Sequence, residues 1–375
     1  MSPSARYSHG DYTVGWISAL PLEMAAAEAT LDEMHQALPN PPHDKNAYTL
    51  GEIAGHKIVI ACLPSGQYGT TSAAVAAQQM LSTFPCLRFG LLVGIAGGIP
   101  SKTVDIRLGD VVVSTPTATY AGVVQYDYGK TYPGHFERTG MLNRPPELLL
   151  TAVSKLRSRI LREGSVLQET ISHMVERNPH MGKDFGFGGW QDQLFNAHYP
   201  HLESESTCEK CDRSQLVSRK HRPSDGPKIH YGLIASANQV MKDAVARDRL
   251  GRELGAYCVE MEAAGLMNHF PCLVVRGICD YADSHKNKEW QGYAAAAAAA
   301  YAKELFTVIS REETLKMHHA DFQDSKLTNL SDALRDRTIC SQLESLRRRC
   351  ELARRWNQWN YSSDGGNYWW SASCS

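Results

Sequence analysis

Four carboxylates and one arginine fall inside residues 258–283, which read CVEMEAAGLMNHFPCLVVRGICDYAD. Glu260-Met261-Glu262 opens a run of helix-forming residues (Ala263, Ala264, Leu266, Met267). Pro271 then starts an apolar strand, Cys272-Leu273-Val274-Val275, which ends on Arg276, and Asp280 and Asp283 follow at once. Carboxylates at the end of a buried strand and the start of a helix occupy the place where open α/β folds put their ligand sites. The same residues also fit a capped helix followed by two solvated aspartates, because acidic side chains are common at caps and turns.

A second candidate is Cys208-Glu209-Lys210-Cys211, with His201 and His221 nearby. Two cysteines and two histidines can bind zinc. The spacing His-x6-Cys-x2-Cys-x9-His is not that of a standard finger, so free thiols or a disulfide fit equally. No metal is assigned to the catalytic residues.

These residues need a scaffold, and the composition supplies one. A chain of 375 residues has room for one large α/β domain or two ordinary ones. Hydrophobic residues make up 43% and charged residues 21%, which predicts a packed core. The net charge of -1 argues against a nucleic-acid partner held by bulk charge. Ten cysteines are scattered, several in apolar runs (Cys62, Cys86, Cys272), as suits reduced thiols in a cytoplasmic protein. The first residues, MSPSARYSHGDYTVGW, show no apolar stretch of a signal peptide. The alanine run 294–300 is too short for a membrane span, so no membrane partner is expected.

Periodicity predicts a strand over 12–17 and an alanine-rich helix from Pro21 to about His35, with Pro21 in its first turn. Residues 48–63 read as two strands around Ala54-Gly55-His56, and 70–82 as a helix. RFGLLVGI, 88–95, is a strand covered on both faces that runs into Ala96-Gly97-Gly98-Ile99. Further strands are predicted at 111–114 and 229–235, and helices at 146–163 and 293–306. Alternating strands and helices indicate an α/β fold with a mixed sheet. Residues 126–144 have no clear period, and 178–227 read as a polar, loop-rich insertion. The catalytic domain is expected over 11–310. A tail over 311–375 follows, helical at 330–359 and disordered at its end.

Five segments, in order, carry a resemblance: VGWISALPLEMAAA, LLVGIAGGI, LIASANQVM, CVEMEAAG and VVRGICDYAD. They resemble the purine nucleoside phosphorylase/uridine phosphorylase superfamily, in the branch that also holds methylthioadenosine/S-adenosylhomocysteine nucleosidases and AMP nucleosidase. More narrowly, the chain is similar to fungal members that often sit beside NACHT or ankyrin-repeat domains. The resemblance covers about residues 11–310. It implies a single α/β domain whose central mixed, partly barrel-like sheet is flanked by helices. It also implies no cofactor, a purine nucleoside as substrate and a homo-oligomer.

The family reaction cleaves the bond between ribose and a nucleobase. The ribosyl carbon becomes cationic, so a carboxylate on the ribose hydroxyls places charge near the developing cation. An acid near the purine N7 makes the base a better leaving group. By the resemblance, Glu262 holds the ribose hydroxyls, Met261 packs on the sugar and Asp280 protonates N7. Arg276 orients that loop or Glu262. Ala96, Gly97 and Glu260 complete the implied substrate-binding set. Val240 stands where the family often has an aromatic under the base, and Tyr126 lies where it builds the wall around the 5′ end.

The nucleophile separates two activities. Phosphorylases place an arginine and a Ser or Thr around the central Val-Gly, where this chain has Leu92 and Ile95. Their first loop carries an arginine, and Ser18-Ala19-Leu20-Pro21-Leu22-Glu23 has none. Glu23 falls where hydrolytic members place the carboxylate that activates water, and a negative residue there repels phosphate. The implied function is a purine nucleosidase releasing base and ribose. The alternatives are a phosphate-dependent purine nucleoside phosphorylase and a non-catalytic nucleoside-sensing module.

Overall fold

The computed structural model describes residues 7–201, 207–222 and 226–320. The expected helix at 330–359 and the end of the tail lie outside them. Strand β1 (Val14–Ser18) is buried throughout and leads into α1 (Pro21–Ala29), with Pro21 in the first turn. The helix stops well short of His35. The Thr30 hydroxyl donates to the Ala27 carbonyl at 2.6 Å and closes the last turn. The chain then extends as β2 (Glu33–Met34) against β3 (Tyr48–Ile53). β3 and β4 (His56–Cys62) form the expected hairpin. Its tight turn puts Ala54 and Gly55 at φ of 49° and 81°, as hairpin twist demands.

Helix α2 (Thr70–Thr83) precedes β5 (Phe89–Gly98), β6 (Val111–Ser114) and β7 (Val123–Gln125). The stretch without clear period holds an exposed hairpin of β8 (Gly129–Tyr132) and β9 (His135–Arg138), paired only with each other. Helices α3 (Glu147–Glu163), α4 (Leu167–Arg177) and the single turn α5 (Gly182–Phe185) lead into the insertion. Among its described residues that insertion is mostly irregular, with an isolated bridge between Phe195 and Leu216. The core resumes with β10 (Ile229–Ser236), α6 (Ala244–Leu254), β11 (Ala256–Glu260), β12 (Cys272–Asp280), α7 (Gln291–Phe306) and α8 (Arg311–Lys316).

The sheet order is β11-β10-β6-β12-β5-β1-β4-β3-β2, with β7 on β10. β11 also pairs antiparallel with β5, through Cys258 opposite Gly98 and Val259 opposite Gly97. That pairing closes β5, β12, β6, β10 and β11 into a five-stranded mixed barrel. Closure covers the free edge of β11 and brings the ends of β5, β11 and β12 together.

Helix α7 explains the alanine run. Ala294–Ala300 are all fully or almost fully buried, between the sheet and the helices α1, α3, α4 and α5. A helix apolar all round belongs in a core. The fit against β12 is close: a Cβ on Gly277 would lie 1.8 Å from the Ala294 carbonyl oxygen. Among the described residues no helix is long and apolar enough to cross a membrane. The packed chain also continues past 310. Arg88 Nη1 donates to the Met317 carbonyl at 2.7 Å, and the Ala320 N–H donates to the Leu87 carbonyl at 2.8 Å.

Candidate active site

Glu23 is fixed by the loop that precedes it. One carboxylate oxygen accepts from the Ala19 and Leu20 N–H groups at 2.7 and 3.0 Å, and the other from the Ile95 N–H at 2.7 Å. It is thus buried rather than an exposed first-turn glutamate. Gly94 makes the approach possible, since a Cβ there would meet Glu23 Oε1 at 2.4 Å and Arg276 Nη1 at 2.6 Å. Burial lifts the Glu23 carboxyl above the usual carboxylate range, opposed by Arg276 and the three N–H groups.

Arg276 is wholly buried on β12, opposite Gly94 in register. Its Nη2 pairs with Glu260 and also reaches Glu262 Oε2 at 3.2 Å. Glu260 ends strand β11 and accepts from the Glu262 and Ala263 N–H groups at 3.1 and 3.0 Å. The expected helix after Glu260 is a single 3-10 turn, Ala263–Gly265. Glu262 is therefore set by the strand end and by Arg276, not by a helix terminus. Its other oxygen accepts from the Gly69 N–H at 3.2 Å.

Three carboxylates around one guanidinium leave buried negative charge in excess. Burial raises the Glu262 carboxyl to about 7, with Glu260 and Glu23 adding and Arg276 opposing. A carboxyl that keeps its proton to about 7 in the fold, against 4.5 ordinarily, loses native stability as pH rises through that window. Buried His285, pushed down to about 4, has the opposite slope below the ordinary imidazole range, so the total profile mixes both. The difference between wild type and Glu262→Gln isolates the first effect. From pH 4.5 to 7 the wild type should lose roughly 3 kcal/mol relative to the variant, measured by denaturant unfolding. A pH-independent difference would show that Glu262 ionises normally.

Strand β12 extends past Arg276 and carries Asp280 itself. Asp280 is buried opposite Gly97 of β5, where a Cβ would approach its Oδ1 to 2.8 Å. That oxygen accepts from the Ala282 N–H at 2.8 Å, and Oδ2 lies 3.0 Å from Lys286 Nζ. Ala96 is the next step along the same strand, its carbonyl accepting from the Cys279 thiol at 3.6 Å. Asp283 lines the same cleft as Asp280 and pairs with Arg247 at 3.4 Å.

Glu23, Ala96, Gly97, Glu260, Glu262, Arg276 and Asp280 thus gather at one end of the barrel. Met261 sits with them in sequence, its carbonyl close to Gly69. Tyr126 is buried beside β10, its N–H donating to the Ser236 carbonyl at 3.1 Å, and burial pushes its hydroxyl up to about 12. Val240, the residue expected under the base, is 44% exposed on the segment after β10. Its neighbour Asn238 is tied instead, accepting from the Thr70 N–H at 2.9 Å. Sequence reasoning missed Lys286 and the Gly69 N–H. A lysine six residues after Asp280 was the visible signal for the first, and nothing local marks the second.

The comparisons agree with this architecture. A nucleotide-binding leucine-rich repeat (NLR)-like protein of Hyaloscypha variabilis is 47% identical over 349 residues. The match takes in 91% of this chain but 34% of that protein, so the chain spans about a third of its length. The 5′-methylthioadenosine/S-adenosylhomocysteine nucleosidase of Mycobacterium bovis is 24% identical, over 79% of this chain and 96% of its own. Among solved structures, the same-named enzyme of Neisseria meningitidis, in complex with methylthio-immucillin-A, superposes with a TM-score of 0.51 at 18% identity. It covers 79% of this chain and 99% of its own. The futalosine hydrolase of Helicobacter pylori gives 0.50 at 17% identity, over 80% and 98%. Both likenesses show the fold. Residues 13–311, most of the sequence, match the Phosphorylase superfamily, and the chain belongs to it.

Proposed function

We propose that the chain is a purine nucleosidase, hydrolysing the N-glycosidic bond to free base and ribose. The observation that carries this reading is the use of the Ala19, Leu20 and Ile95 N–H groups. In a phosphate site such amides face the anion. Here all three are taken by the Glu23 carboxylate. Leu92, at the arginine position of phosphorylases, is fully buried in an apolar cluster. The nucleosidases among the relatives support the same direction.

The chemistry follows from the side chains. Glu23 uses three of its four lone-pair positions on the backbone, which leaves one for a water. Water attacks the ribosyl carbon from the face opposite the base and gives its proton to Glu23. Glu262, once ionised, accepts from the ribose hydroxyls and stabilises the cationic carbon. Asp280, beside Lys286 and once protonated, supplies the proton that the leaving purine takes at N7.

Incubation with adenosine, inosine and guanosine, with and without phosphate, tests this. Base release should proceed at the same rate without phosphate, and the sugar product should be free ribose. Ribose 1-phosphate as the main product, with no turnover in phosphate-free buffer, would overturn it. One observation favours a second reading, a nucleoside-sensing module: the NLR-like relative is three times the length of the shared region. Tight nucleoside binding without base release would select it.

A further inference from the structure

The insertion carries a constellation that base release does not use. His201, Cys208 and Cys211 offer one nitrogen and two sulfurs that all lie within 4.8 Å of one another. The cysteines close a tight turn in which the Cys211 N–H donates to the Cys208 carbonyl at 3.1 Å. The histidine is oriented from outside. Its Nε2 meets the Thr207 carbonyl at 3.0 Å, and its backbone N–H donates to Ser284 Oγ at 2.9 Å. A ring that donates Nε2–H to a carbonyl keeps a lone pair on Nδ1, the arrangement that metal-ligating histidines use. His221, the other histidine of the sequence motif, is not in this cluster. It lines a separate cleft with Arg107, Asp110 and Arg222.

We propose that His201, Cys208 and Cys211 bind a thiophilic divalent cation of the zinc type, which clamps the insertion to the segment following Asp280. Two sulfurs and an imidazole suit such an ion and reject calcium or magnesium, which take oxygen. In a tetrahedral shell with bonds of about 2.0–2.3 Å the ligand atoms stand roughly 3.5 Å apart. Closing from the observed spacing takes side-chain shifts of about an ångström. Three protein ligands leave one position for water.

The clamp has a definite target. The Cys208 sulfur points to the His285 carbonyl at 3.8 Å, and the His201 and His285 rings meet edge-on at 5.3 Å. Phe195 of the insertion stacks on His285 at 4.1 Å. Residues 284 and 285 follow Asp280 by four and five positions, and Cys208, Asp280 and His285 line one cleft. Binding releases a proton from each thiol as the sulfurs become thiolates.

The test uses the full chain, purified under reductant, supplied with zinc and dialysed. Zinc by atomic emission should reach about one per chain with all thiols titratable after denaturation. His201→Ala, Cys208→Ser and Cys211→Ser should each drop it below about a fifth, while His221→Ala retains it. Chelator should lower the wild-type Tm by several degrees and speed proteolysis within the insertion. If a cysteine variant does not fold, the zinc content and chelator response of the wild type decide. Fewer than about a tenth of an equivalent of zinc on the reduced wild type, or a Cys208–Cys211 disulfide in its place, would overturn the proposal. So would a His221→Ala variant that loses the metal while His201→Ala keeps it.

Discussion

Glu23→Gln should lower kcat for base release by about 10²–10⁴ while leaving KM within a few-fold, the signature of a lost general base. The carboxylate is held on a scaffold of three N–H donors, so its position is set before substrate arrives. The Gln amide oxygen can accept from Ala19 and Leu20 as Glu23 does. Its NH₂ then faces the Ile95 N–H, donor against donor, and cannot take a proton from water. That mismatch also costs stability, of order 1–3 kcal/mol for an unsatisfied buried donor. Circular dichroism and nucleoside binding must therefore be measured beside the kinetics. A folded variant that binds substrate yet releases base at near wild-type kcat would remove Glu23 from the chemistry. The variant also takes one of three carboxylates away from Arg276, so the raised Glu262 carboxyl should move down.

How much of this was legible in the sequence depended on whether the signal was local. Gly94 and Gly97 permit close approaches that the sequence does not announce: Gly94 against Glu23 and Arg276, Gly97 against Asp280. Apolar runs announced β1, β5 and β12 because strands covered on both faces read as continuous hydrophobic stretches. Glu260-Met261-Glu262 misled in the opposite way. Its neighbours favour a helix, but Glu260 belongs to β11, whose pairing with β5 closes the barrel. Barrel closure overrides local propensity there and leaves only a 3-10 turn.

Other features were invisible because they are made by contacts distant in sequence. The Gly69 N–H reaches Glu262 across 193 positions, and Asn238 meets Thr70 across 168. The segment around Val240 is set in the same way: its neighbours Asn238 and Met241 are tied or packed, and Val240 itself stays exposed. The motif around Cys208 was ambiguous for a related reason. Spacing alone put His201 and His221 on equal terms, and only the fold brings His201 to the two sulfurs.

Asp280→Asn should retain nucleoside binding and lose about 10²–10⁴ in kcat on adenosine, inosine or guanosine, the range of a positioned acid. Asparagine keeps the shape and can still accept from the Ala282 N–H, so the end of β12 should hold its place. What it cannot do is deliver a proton to N7. The loss should shrink for nucleosides whose leaving group departs without protonation, because the removed step is then not needed. Lys286 supplies the control. Its ammonium lies 3.0 Å from Asp280 Oδ2, and burial works against its charge while Asp280 raises its pKa overall. If Lys286 only positions the acid, Lys286→Met should cost less than Asp280→Asn and show no added dependence on the leaving group. If Lys286→Met costs as much, and with the same leaving-group dependence, the proton donor is the pair rather than Asp280 alone. A near-normal kcat for Asp280→Asn on all three purine nucleosides would remove the acid from this site, and with it the physical reason for preferring purines.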